Sequence, residues 1–101
     1  MGESAVEEKS WSAEWSEEAT KQLAKIKRKN PQMARDLEIM LDAAAESGNP
    51  RSRGKGLKGN LAGKWRYRLD DYRVICEIKE SILLVLAVKV GLRSEIYKDK
   101  K

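Results

Sequence analysis

The chain has 101 residues, a length that supports one small domain burying about 65% of its unfolded surface. Charged residues reach 37% against a usual ~25%, the net charge is +5, and there is no histidine and one cysteine. An intrachain disulfide and an ordinary histidine–cysteine metal centre are thereby excluded, and the longest uncharged apolar stretch, Ser81–Val88, is too short to cross a bilayer.

The first ten residues, MGESAVEEKS, lack the basic and apolar regions of a secretory signal and read as a polar extension. The domain is expected over residues 11–98, followed by a basic tail at 99–101, and a cytoplasmic location with a polyanionic partner suits this balance of charge. Trp11, Ala13 and Trp15 alternate with polar residues, the period of a short half-buried strand. Ser16 offers a hydroxyl N-cap, Glu17 and Glu18 suit a first helical turn, and Ala19, Leu23 and Ile26 recur at helical spacing. Lys25, Lys27, Arg28 and Lys29 close that helix. Asn30 and Pro31 start a second helix with a stripe of Met33, Leu37, Met40, Leu41 and Ala44, ended by Gly48 and Pro50. The two helices should form an antiparallel hairpin.

Residues 48–63 hold five of the seven glycines and no periodicity, so a flexible basic loop is expected. Gly54, Gly56 and Gly59 match the letters of a dinucleotide-binding fingerprint, but a helix precedes them and a strand follows, the reverse of what that mechanism needs. The period then changes to two. Trp65, Tyr67 and Leu69 face one way and Arg66 and Arg68 the other; Asp70-Asp71 is a turn; Tyr72, Val74, Cys76 and Ile78 continue as a second strand. Ile82 to Val90 is apolar on both faces, as in a central strand. The reading is an α+β fold, β-α-α-β-β-β, with a helical hairpin on one face of a small, mainly antiparallel sheet.

Charge is segregated. Residues 1–18 carry six glutamates and one lysine, whereas residues 51–68 carry seven cations and no acid. An uninterrupted basic block is either a solvated surface or a phosphate-binding one. Arg66 and Arg68 share a strand face, Arg73 follows on the next strand, and Arg93 and Tyr97 lie just beyond the last. Ordinary alternatives exist for each: a solvated face for the first pair, pairing with Asp70, Asp71 or Glu77 for Arg73, and packing for Tyr97. Cys76 reads most simply as a small core residue. The adjacent carboxylates Asp70 and Asp71 are weak evidence for a cation site.

Taken together, Gly56-Leu57-Lys58-Gly59, then Gly63-Lys64-Trp65-Arg66-Tyr67-Arg68, Asp71-Tyr72-Arg73 and Val90-Gly91-Leu92-Arg93-Ser94-Glu95-Ile96-Tyr97 resemble the RelE/ParE toxin superfamily. Its pattern runs roughly L-x-G, W-R-Y-R, D-Y-R and V-G-H-R-x-x-V-Y, and the resemblance covers residues 11–98. It implies a bacterial or archaeal toxin of a type II toxin–antitoxin pair, monomeric by itself and neutralised in a hetero-oligomer by a wrapped antitoxin peptide. On the RelE-like branch it implies an mRNA interferase, a ribosome-dependent endoribonuclease needing no metal or cofactor. There the ribose 2′-hydroxyl attacks the adjacent phosphate and leaves a cyclic phosphate and a free 5′-hydroxyl. On the ParE-like branch it implies a DNA gyrase inhibitor, and a non-catalytic nucleic-acid-binding relative is a third possibility.

By that resemblance the catalytic set is Arg66, Arg68, Arg73, Arg93 and Tyr97, with Lys55, Lys58 and Lys64 binding RNA. The chemistry is compatible: negative charge developing on a phosphorane calls for fixed cations, and guanidinium offers planar bidentate donors. Tyr97 is the candidate to engage the 2′-hydroxyl, and Arg93 to stabilise or protonate the leaving group. Arginine cannot act as a general base, so proton removal falls to Tyr97 or to the ribosome. With no histidine for acid–base work, activity off the ribosome should be very low.

Overall fold

The structure, a computed structural model, describes residues 10–97. The rest of the expected N-terminal extension and the basic tail lie outside the described residues. Strand β1 (Ser12–Trp15) leads into helix α1 (Glu17–Lys29), then helix α2 (Pro31–Glu46), strand β2 (Lys55–Gly56), strand β3 (Trp65–Leu69), strand β4 (Tyr72–Lys79), strand β5 (Leu84–Leu92) and the single-turn helix α3 (Arg93–Ile96). The five strands form one sheet in the order β1-β5-β4-β3-β2. Only β1 and β5 run parallel; the other three pairs are antiparallel.

Local chemistry sets the helix ends. The Ser16 hydroxyl accepts the Ala19 N–H at 3.0 Å, and Glu17 and Glu18 sit where the helix dipole favours acids. Asn30 serves both helices: its N–H donates to the Ile26 carbonyl at 2.7 Å, and its Oδ1 accepts the Met33 N–H at 3.2 Å. Pro31 then occupies the first turn of α2, where its missing N–H costs nothing. Both helices lay their apolar stripes on one face of the sheet. The stripe of α2 is turned slightly from the expected one: Ala34, Leu37, Leu41, Ala44 and Ala45 are buried, while Met33 and Met40 pack at the margin.

Leu37, Leu41, Val74, Cys76 and Val85 are fully buried between the layers. Burying each leucine contributes about 1.5–3 kcal/mol. Burial also raises the Cys76 thiol well above its ordinary range, which leaves it inert.

Two expectations need correction. The last strand starts at Leu84, not Ile82, because the chain takes a 3₁₀ turn over Glu80–Ile82 and Leu83 adopts a left-handed conformation at φ 49°. Ile82 is consequently exposed. Within β5 the register shifts opposite Ile75 and Cys76, whose partners are Lys89 and Ala87, leaving Val88 as a bulge.

The glycine-rich segment is fastened down rather than flexible. Its strand β2 pairs with β3, the Tyr67 hydroxyl donates to the Pro50 carbonyl at 2.6 Å, and the Trp65 indole N–H donates to the Arg53 carbonyl at 2.7 Å. The Arg51 guanidinium lies 5.7 Å from the Trp65 ring centroid and pairs with Glu80. Gly54 makes the crossing possible, since a Cβ there would sit 2.4 Å from the Arg66 carbonyl oxygen at a φ of +81°.

Candidate functional site

The sheet face away from the helices carries the basic residues. Lys55, Arg66, Ile75 and Lys89 are successive cross-strand partners on β2, β3, β4 and β5, and Arg68, Arg73 and Gly91 form the next row. Residues opposite one another point to the same face, so Lys55, Arg66, Arg68, Arg73 and Lys89 share one surface. Ile75 forms its floor at 0% exposure. Arg68 and Arg73 stand directly opposite, a like-charge pairing that opposes sheet formation.

Helix α3 brings in the remaining two residues. Its first N–H, from Arg93, donates to the Asp71 carbonyl at 2.8 Å, tying the helix to the turn between β3 and β4. The helix lies close over Gly91, where a Cβ would meet Glu95 Oε1 at 3.4 Å and Ile96 Cδ1 at 3.6 Å, ordinary van der Waals contacts. Tyr97 follows one turn after Arg93.

Arg73 lies at the centre and is only 7% exposed. Its Nη1 donates to the carbonyl oxygens of Asp70 at 3.0 Å and Tyr72 at 3.1 Å, main-chain acceptors that bring no negative charge. Burial, then the fields of Arg68, Arg66 and Arg93, hold its guanidinium below the usual arginine range, while Tyr97 acts in the opposite sense. Arg66, Arg68, Arg93 and Tyr97 thus all lie near enough for their fields to act on the Arg73 guanidinium. Among the described residues no carboxylate pairs with Arg66, Arg68, Arg73 or Arg93. The Nε atoms of Arg66 and Arg73 are buried without a hydrogen-bond partner. Unsatisfied buried cationic donors of this kind are costly and call for an explanation.

The other expected residues are placed less centrally. Lys55 is exposed in the Arg66 row. Lys58 is exposed before the 3₁₀ turn Gly59–Leu61, outside both rows. Lys64 is drawn to Glu77, 3.3 Å from its carboxylate, which Lys79 approaches at the same distance from the other oxygen. Lys89 is the member that sequence reading missed, because the bulge at Val88 shifts the alternation that would have marked it. Among the described residues no three acidic or thiol side chains gather as a metal-ligand set.

Arranged this way, the surface can grip an oxyanion with several guanidiniums and present a phenol beside it. Residues 13–97 match the family model described as the ParE toxin of type II toxin–antitoxin systems. No curated protein sequence matches the chain. Among solved structures, the RelBE2 toxin–antitoxin complex from Mycobacterium tuberculosis is similar at 21% identity and a TM-score of 0.73, covering 84% of this chain and 93% of that one. An E. coli RelE variant in the free state is similar at 22% identity and a TM-score of 0.69, covering 89% and 93%. A YoeB/ParE toxin from Agrobacterium tumefaciens is similar at 17% identity and a TM-score of 0.63, covering 80% and 96%. These likenesses show the RelE-like fold.

Proposed function

The chain belongs to the ParE toxin family of type II toxin–antitoxin systems, within the RelE/ParE superfamily, and from its arginine and tyrosine surface we propose that it is a ribosome-dependent endoribonuclease cutting messenger RNA. Arg66, Arg68 and Arg93 grip the scissile phosphate, and the buried Arg73 adds its field from beneath. The ribose 2′-oxygen bonds to phosphorus and its proton leaves to Tyr97 in its deprotonated form or to a group of the ribosome. The bond from phosphorus to the 5′-oxygen breaks, Arg93 stabilises that oxygen as it takes up a proton from water, and a 2′,3′-cyclic phosphate remains. Guanidinium supplies the charge neutralisation, so the scheme needs no metal.

One observation carries the reading: four arginines without a carboxylate partner and one phenol share a single electrostatic neighbourhood. Expression of the protein should truncate messages at ribosome-occupied codons. Intact messages beside cleaved, gyrase-trapped DNA would select a second reading, gyrase inhibition, which the match to a ParE model favours. Fold does not decide between them; the arginine and tyrosine surface supports the nuclease reading.

In either case an antitoxin partner is part of the proposal. An acidic and apolar segment that folds on binding would supply the carboxylates that the arginines lack. Failure of the purified protein to bind the product of the adjacent gene would remove this part.

A further inference from the structure

We infer that a cleft at the open end of β5 holds the nucleotides flanking the gripped phosphate, as single-stranded RNA; this rests on the nuclease reading of the arginine surface. The cleft exists because β1 is short. It pairs only with Leu84–Ala87, so β5 runs on to Leu92 without a strand neighbour on that edge. Helix α1 passes alongside instead, and Gln22 Oε1 accepts the Val90 N–H at 2.8 Å. The space between α1, β5 and α3 measures about 570 Å³.

Its walls combine the two elements that single-stranded nucleic acid uses. Lys25, Arg28 and Lys29 of α1 line it, and none has an ion-pair partner among the described residues. Tyr72, half-buried, contributes an aromatic ring to the same wall. Cations that follow a backbone beside a ring on which a base stacks give affinity without reading sequence. Glu18 and Glu95 also line the cleft but pair with none of those cations.

The Tyr72 ring beside these cations, a surface on which a base stacks, favours RNA over an acidic peptide, and the cleft is continuous with the arginine surface. Lys89 stands in the Arg66 row and Gly91 in the Arg68–Arg73 row, and both also line the cleft. A strand held at the arginines therefore reaches the cleft by rounding the edge of β5. Neither feature belongs to the set that performs bond cleavage.

The test measures fluorescence anisotropy of labelled 4-mer and 12-mer oligouridine across a potassium chloride series, with the full chain. The 4-mer reports the arginine surface and the 12-mer adds the cleft. Combining Lys25→Gln, Arg28→Gln and Lys29→Gln should flatten the 12-mer log–log slope by about 2, at roughly 0.7 per phosphate contact, and leave the 4-mer slope unchanged. Tyr72→Leu should weaken the 12-mer by about fivefold or more, and Tyr72→Phe should not. An unchanged 12-mer slope, an equal loss at both lengths, or loss of polyglutamate binding with RNA binding intact would overturn the cleft assignment alone. A parent protein that binds neither oligomer would overturn the nuclease reading with it.

Discussion

Tyr67 and Arg73 are both buried polar residues of the same sheet, on opposite faces, and they are treated very differently. Tyr67 is 2% exposed, its hydroxyl has a carbonyl partner at 2.6 Å, and burial raises its phenol far above the ordinary range, so it stays neutral. Arg73 is 7% exposed, keeps a buried Nε without a partner, and faces three other guanidiniums. The helix face satisfies its polar groups and packs Leu37, Val74 and Val85 at 0% exposure. On the opposite face, cationic donors stay unsatisfied and repel one another. The first face is arranged for stability, whereas the second keeps positive charge that no neighbour offsets, which on the nuclease reading would receive an anion.

The sharpest way to separate the faces is to alter the phenol without touching the packing. Tyr97→Phe should lower the cleavage rate on programmed ribosomes by about 10²–10⁴-fold, the usual worth of a positioned proton-transfer group. The thermal midpoint should not move. A rate within threefold of the parent would remove Tyr97 from the chemistry.

Leu37→Ala makes the reciprocal change. A fully buried leucine truncated to alanine should cost about 2–5 kcal/mol in denaturant unfolding. RNA binding by the fraction that remains folded should be unaffected. A stability loss under 1 kcal/mol would mean that the helix face is not the core it resembles.

Arg73→Met tests the comparison directly. The variant loses two hydrogen bonds to carbonyl oxygens, but it also removes a buried charge that three neighbours repel. Stability should hold or rise by about 1 kcal/mol while RNA affinity falls. Inorganic phosphate should stabilise the parent more than the variant, since a ligand that binds only the folded state adds stability by mass action. A loss matching that of Leu37→Ala would show that the carbonyl bonds to Asp70 and Tyr72 outweigh the repulsion.

How much of this was legible in sequence depended on the range of the interactions. Both helices and their shared Asn30 could be read because capping and the 3.6-residue period act within a few residues. The two faces of β3 followed from the alternation of Trp65, Tyr67 and Leu69 with Arg66 and Arg68. What escaped was long-range. The anchoring of the glycine-rich segment rests on bonds from Trp65 and Tyr67 to carbonyls 12 and 17 residues away, which no composition reveals. Lys89 was concealed by a bulge that exists only through pairing with β4. Lys64 looked like one more cation of a basic run until folding set it against Glu77. The arginines could be named from sequence, but the missing carboxylates around them could be seen only in three dimensions.

Glu77 is the counterexample on the arginine side of the sheet, and it yields the smallest expected effect. Its carboxyl is held below the usual carboxylate range, first by hydrogen bonding from Lys79, then by Lys64, with burial opposing them. Since the folded value lies below the unfolded one, the stabilisation is fully present above about pH 4.3 and is lost as pH falls through the folded value. The side chains are about a third exposed or more, so the contribution should not exceed ~0.2–1 kcal/mol. Glu77→Gln should therefore flatten the acid limb of the stability-versus-pH curve slightly, and added salt should shrink the difference. It should also release Lys64 toward solvent near the arginine rows, steepening the salt dependence of RNA binding by up to about 0.7. An acid limb identical to the parent's would show that Glu77 neutralises nothing, and that the contrast between satisfied and unsatisfied charge does not extend to this corner of the sheet.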